Sequence, residues 1–132
     1  MNMAPEEVFV GTALVKVQGG AMRQVRALFL RSVPGLAATE ATWIPGSWVI
    51  THLASGAFLG PEDDEHAMVA CRAAALSTLW RLGPLLDWTQ DEPAVVAQAR
   101  SLGIRTRDFL TSPGWCLRSQ VRPRVLNYSE SC

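Results

Sequence analysis

Trp48-Val49-Ile50-Thr51-His52-Leu53, then Ser55-Gly56, then Ala57-Phe58-Leu59-Gly60-Pro61 is the stretch whose reading decides the fold. Trp48 to Thr51 are all β-branched or aromatic, the residue types that suit a pleated, packed surface. Ser55-Gly56 suits a turn, and Ala57-Phe58-Leu59 suits the returning strand. Either Trp48, Ile50 and His52 or Val49, Thr51 and Leu53 face inward, and a period of two does not choose between them.

Downstream the pattern changes. Gly60-Pro61 closes the strand region, and Glu62-Asp63-Asp64-Glu65 place acids where a helix N-terminus favours negative charge. From Ala67 to Leu82 the chain is almost wholly apolar. Met68, Cys71, Ala75, Leu79 and Leu82 follow one helical stripe; Val69, Ala73, Leu76 and Trp80 follow its neighbour. So wide an arc predicts a helix buried on more than one side, with Leu76 central. Gly83-Pro84 stops it. Asp91-Glu92-Pro93 opens a second helix with proline in the first turn, Val95, Val96, Ala99 and Leu102 buried, and Gly103 as terminator. One more helical turn over 106–110 would fit before Ser112-Pro113-Gly114.

Upstream, residues 8–17 are dense in β-branched side chains and read as a strand buried on both faces over most of its length. Gly19-Gly20 permits a tight hairpin turn. Residues 22–31 fit a strand or a helix, and the strand is favoured; residues 40–44 add a short extended piece. Strands first and helices afterwards predict an α+β fold. The expected architecture is an antiparallel three- or four-stranded meander followed by two helices, the first packed on one sheet face.

At 132 residues, with 48% apolar and 18% charged side chains, the chain suits one domain with a real core, and residues 117–132 read as an Arg-rich tail. Net charge is zero but uneven: residues 62–92 carry seven acids against two arginines, and residues 100–132 six arginines against two acids. Three cysteines (Cys71, Cys116, Cys132) do not make a disulfide framework, and Cys71 reads as a small buried hydrophobe. With no basic-apolar leader and no span-length apolar run, the expectation is a cytoplasmic protein away from membranes.

No arrangement that carries chemistry stands out. His52 is the obvious base, yet no acid or nucleophile sits at telling spacing, so a structural histidine is the simpler reading. Cys116 beside Arg118 lacks a histidine partner. Asp63, Asp64, Glu65, His66 and Cys71 mix ligand types without any metal-binding spacing, and helix capping accounts for the acids. Neither a metal nor a cofactor is expected. Five tryptophans against one tyrosine is a heavy load. Trp48 and Trp80 read as core. Trp43, Trp88 and Trp115 lie beside turns or helix starts, where an exposed aromatic anchors a partner. Trp115 with Arg105, Arg107, Arg118, Arg122 and Arg124 has the composition of an electrostatic track with a stacking platform. Zero net charge weakens the nucleic-acid reading of that track.

Trp48-Val49-Ile50-Thr51-His52-Leu53-Ala54-Ser55-Gly56, the Ala-rich helix after it and Asp87-Trp88 resemble short accessory proteins of phage, plasmid and other mobile-element origin, over about residues 48–88. The resemblance implies a small accessory protein that acts by binding a host factor, such as a defence or replication component, and it assigns no functional residue. The leading expectation is therefore a non-enzymatic interaction protein with a protein partner, its contact residues drawn from Trp88, Trp115, Arg105, Arg107, Arg118, Arg122 and Arg124. The runner-up is a nucleic-acid binder using the Arg-rich C-terminal third; a small enzyme centred on His52 comes third.

Overall fold

The computed structural model describes residues 7–61, 71–102, 115–118 and 120. Five strands come first: β1 (Val8–Lys16), β2 (Met22–Leu30), β3 (Leu36–Glu40), β4 (Trp48–His52) and β5 (Phe58–Pro61). The helices α1 (Arg72–Leu82) and α2 (Glu92–Leu102) follow, and β6 (Trp115–Arg118) returns to the sheet. Each strand pairs antiparallel with the next, in the order β1-β2-β3-β4-β5-β6, and α1 lies across β2, β3 and β4. The fold is α+β, an antiparallel meander with its first helix on one sheet face. It has more strands than expected. Residues 22–30 are a strand, the third strand occupies 36–40 rather than 40–44, and the Arg-rich end contributes β6.

The pleat sorts side chains by parity. Leu28, Leu30, Leu36, Ala38, Trp48, Ile50 and Leu59 pack with Ala75, Leu79, Leu82, Trp88, Val95 and Ala99 in the main core between sheet and helices. Val49 and Phe58 point the other way and meet Ala41, Trp43 and Ile44 from the β3–β4 connection in a second core. β4 is buried throughout because it has a core on each face. Trp48 and Ile50 therefore face the helices, and Val49 and Thr51 face the second core, where the Thr51 hydroxyl lies 2.6 Å from that of Thr39.

The helices bury less than their composition suggests. In α1 the buried residues are Ala75, Leu79 and Leu82; Leu76 and Trp80 are half-buried and Ala73 is exposed. One stripe faces the sheet, so the expectation of a centrally buried helix is corrected. Its N-cap is Cys71, and the residues preceding it, with the acids at 62–65 and the stripe position Met68, lie outside the described residues. Asp91 caps α2, its Oδ1 accepting the Ala94 N–H at 3.0 Å. Val95 and Ala99 are buried, whereas Leu102 is exposed at the helix end, against expectation. Gly103 and residues 106–110 lie outside the described residues.

The sheet curls until the tip of the β1–β2 hairpin meets its far side. Lys16 N–H donates to the Gly56 carbonyl (2.7 Å), Gln120 N–H to the Lys16 carbonyl (2.8 Å) and Gln18 N–H to the Gln120 carbonyl (2.9 Å). The Gln120 side chain is buried, its Oε1 accepting the Thr42 N–H at 2.6 Å. Gly56 makes this approach feasible: its φ is +76°, and a Cβ there would lie 2.6 Å from Met22 Cε and 3.1 Å from the Lys16 nitrogen. Gly35 does the same for the α1–α2 connection. Its φ is +92°, and a Cβ would stand 2.4 Å from the Trp88 carbonyl carbon.

Candidate functional site

His52 ends β4 with no exposure to solvent. Its Nε2 lies 2.8 Å from the Gln90 carbonyl, which accepts hydrogen bonds and cannot donate, so Nε2 carries a proton. Nδ1 lies 2.8 Å from the Ser55 hydroxyl, which also accepts the Ala57 N–H at 3.2 Å. Both ring nitrogens are thus engaged in tying β4 to its own turn and to the segment before α2. The side chain works as a structural clamp, with no open face toward a substrate.

The tryptophans sort differently from expectation. Trp88 is 1% exposed and donates its indole N–H to the Leu82 carbonyl at 2.8 Å, so it is a core residue and offers no surface to a partner. Trp43, fully buried, packs its ring against Phe58 with centroids 5.2 Å apart. A position beside a turn does not set burial here, because the turns themselves dock on the sheet. Trp115 and Arg118 stand opposite Pro61 and Phe58 in the β5–β6 register, and their side chains lie outside the described set. Arg105, Arg107, Arg122 and Arg124 lie outside the described residues. Cys71, read as a buried thiol, is half-buried and disulfide-bonded.

The surface that sequence reasoning missed is β1. Among the described residues, the exposed large apolar side chains are Phe9 (47%), Val10 (66%), Leu14 (57%), Met22 (48%) and Leu102 (58%), and four of these five lie on β1 or β2. The expectation that residues 8–17 are buried on both faces is corrected: Phe9, Val10, Thr12 and Leu14 are all exposed, while Val15 is buried. The cause is reach. Among the described elements, α1 covers β2 to β4 and extends little over β1, where Val8 alone packs against the main core.

Among the described residues, most of the outer backbone edge of β1 is also unpaired. Arg31 N–H donates to the Glu7 carbonyl and Val17 N–H to the Ala21 carbonyl, which makes the odd positions of β1 the ones bonded to β2 in the Val8↔Leu30 register. The N–H and C=O of Val8, Val10, Thr12 and Leu14 therefore point away from β2. At Lys16 the same outward groups are taken by Gly56 and Gln120, and Gly56 also lies against the Leu14 carbonyl; among the described residues the edge is unpaired from Val8 to the Leu14 N–H. Proteins ordinarily blunt such an edge with lysine, proline, a bulge or a covering element. Residues 8–15 carry no charge and no proline, and their nine-residue register with β2 runs without a bulge.

Glu7, Arg26 and Glu40 are engaged elsewhere. Glu7, just before β1, accepts hydrogen bonds from the Ser32 hydroxyl and from the Ser32 N–H (2.8 Å), and these hold its carboxyl below the usual glutamate range. Arg26 donates twice to Glu40, at 3.0 Å each, which lowers the Glu40 carboxyl and raises the Arg26 guanidinium. The same guanidinium lies 5.8 Å from the centroid of the Trp48 ring. Beside Phe9 a groove of about 430 Å³ is lined by Phe29, Arg31, Pro34, Leu36 and Leu53 among others. Its stacked Phe9–Phe29 pair has ring centroids 5.1 Å apart.

No group of three or more metal-ligating side chains occurs among the described residues, and no described helix is long and apolar enough to cross a membrane. Comparison with known proteins finds no matching family model, no matching curated protein and no matching solved structure.

Proposed function

We propose that the protein is a non-enzymatic binding domain that holds another protein through β1, by adding an extended segment to the open strand edge. The observation that supports this is one coincidence: the strand whose outward N–H and C=O groups have no hydrogen-bond partner among the described residues over Val8 to Thr12 is also the strand carrying Phe9, Val10 and Leu14 in solvent. Main-chain bonding along such an edge supplies affinity, and pockets for alternate side chains supply selectivity.

The mobile-element accessory role, with a host defence or replication component as partner, belongs to this proposal and rests on the resemblance over residues 48–88. Trp48 to His52, at the heart of that resemblance, are all buried, so it concerns packing more than a contact surface. A cytoplasmic setting is part of the proposal too. The Cys71 disulfide runs against it, because reducing compartments keep such bonds open. The β1 surface does not include Cys71 and serves in either setting.

Affinity capture from the native host, with Val10→Lys/Leu14→Lys and Leu102→Lys chains run beside the natural one, tests the proposal. The expected result is a stoichiometric companion protein lost with the β1 pair and kept with Leu102→Lys. Equal capture by the β1 variant would refute it. Capture of nucleic acid, lost when Arg118, Arg122 and Arg124 are replaced, would establish the nucleic-acid reading instead.

A further inference from the structure

Resting on the reading of this chain as a protein-binding domain, but needing only the face of β1 and not its edge, we infer that the partner contributes an acidic amphipathic helix, seated alongside α1 on the β1–β2 face. The register pairs Val8 with Leu30, Val10 with Leu28, Leu14 with Gln24 and Lys16 with Met22. Leu28 and Leu30 belong to the main core and Val8 packs against it, so all these positions lie on the α1 side of the sheet. Beyond Val8 the same face carries Val10, Leu14 and Met22 in solvent. The apolar surface that α1 buries therefore continues along β1 as exposed surface.

α1 supplies a wall beside that floor. It has two apolar stripes, and the one that meets the sheet is Ala75, Leu79 and Leu82. Leu76 and Trp80, on the second stripe, are half-buried. Trp80 lines a groove of about 310 Å³ with Ser32, Val33, Gly83 and Pro84. Ser32 follows β2 and is bonded to Glu7, the residue before β1, so the second stripe borders the β1 side of the helix. The spacing suits one more helix. α1 lies over β2, β3 and β4 and so is centred on β3. Strands about 4.8 Å apart put β1 about 9.6 Å from β3, and neighbouring helices pack about 8–10 Å apart. A helix packed on the Leu76–Trp80 stripe therefore has β1 beneath it, where Val10 and Leu14, about 13 Å apart, span two to three of its turns. Charge sets its flanks. Residues 8–31 and 72–82 hold Lys16, Arg23, Arg26, Arg31, Arg72 and Arg81 and no Asp or Glu. At the margins, Glu7 and Glu40 are bonded to Ser32 and Arg26. A positive field around an apolar floor and wall fits a helix with one apolar stripe and acids on either side of it. The apolar floor favours that helix over a nucleic-acid backbone.

The test uses the full chain, isotope-labelled for NMR, and three synthetic peptides of about 18 residues, long enough to be helical alone. One has leucine at i, i+3, i+4 and i+7 and glutamate on its flanks. The second has lysine for glutamate, and the third has the first composition interrupted by two central prolines. Saturable binding of the acidic helix below about 1 mM is expected, with shifts at the Val10, Leu14 and Leu76 methyls and the Trp80 indole N–H. The lysine and proline peptides should bind about tenfold more weakly or worse. Val10→Glu should weaken the acidic helix about tenfold through like charge, and Leu102→Glu, at a similarly exposed side chain on α2, should leave it unchanged. Both side chains are in solvent, so the thermal melts should match that of the natural chain. Four results overturn the inference: no binding of the acidic helix, equal binding of the lysine helix, shifts that spare Leu76 and Trp80, or mixed-sequence DNA shifting these residues while the acidic helix does not. Equal binding of the proline peptide with shifts confined to β1 also overturns it and favours an extended segment on the strand edge. The protein-binding reading survives any of these if a native-host companion is still lost with Val10→Lys/Leu14→Lys, and falls with the inference if none is.

Discussion

Truncating Leu79 to alanine probes whether one stripe of α1 carries the main core. Leu79 is fully buried, in a cluster with Leu28, Leu30, Ile50, Leu59 and Trp88. Leu79→Ala removes three carbon groups, and at about 0.8 kcal/mol per buried group the lost transfer energy is about 2.4 kcal/mol. The sheet beneath and the helix backbone above limit collapse. A residual cavity of about 40–80 Å³ adds about 1–2 kcal/mol. The sum is about 3.5–4.5 kcal/mol. With a urea slope of about 2 kcal/mol/M, the unfolding midpoint should fall by about 2 M. Trp48 and Trp88 sit in the same cluster, so tryptophan emission reports the transition. Leu76→Ala is the matched control, since Leu76 is half-buried one stripe over and should cost about half as much. A larger loss for Leu76→Ala than for Leu79→Ala would mean that α1 presents a different face to the sheet, and would refute the packing described.

Gly35→Ala should destabilise by more than about 2 kcal/mol, because it forces a side chain into a left-handed backbone and against the Trp88 carbonyl; a neutral melt would contradict the docking of that connection. Glu40 is held below the usual glutamate range chiefly by hydrogen bonds from Arg26, so the stability it contributes is present above the unfolded-state value and lost as pH falls through the folded one. Stability of the natural chain should therefore drop more steeply than that of Glu40→Gln below about pH 4.5, whereas parallel urea midpoints against pH would exclude the linkage. Nitrogen-15 spectra of His52 should show a proton on Nε2, donated to the Gln90 carbonyl. A bare Nε2 would dismiss the structural clamp.

The strand-then-helix order was legible because turn residues and apolar runs alternate cleanly from Trp48 to Leu102. The helix stop at Gly83-Pro84 and the Asp91 cap are local signals, and local signals survive folding. Burial was less legible, because it depends on what the rest of the chain places nearby. β4 and β1 have similar apolar compositions, yet β4 lies between two cores and β1 lies beyond the reach of α1. Trp88 follows a turn and is buried because Gly35, more than fifty residues earlier, leaves room for its backbone. Leu76 and Leu79 are equally apolar, and a helix with apolar residues on two stripes does not announce which one the sheet will meet. β6 is four residues long without a distinct period, and among the described residues the closure beyond it involves Gln120 alone. Of the expected contact residues, Trp88 is core; the exposed apolar set lies mostly on β1 and β2, and its signal was the absence of charge from Val8 to Val15 in a strand at the edge of the sheet.

Amide exchange of the dilute monomer, read residue by residue along β1, tests the central claim that this strand is an open edge. Phe9, Gly11, Ala13 and Val15 should exchange slowly through their bonds to β2, Lys16 through its bond to Gly56, and Val10, Thr12 and Leu14 should exchange rapidly. Slow exchange at Val10, Thr12 and Leu14 in the monomer would mean that the edge is already covered, and would contradict the account.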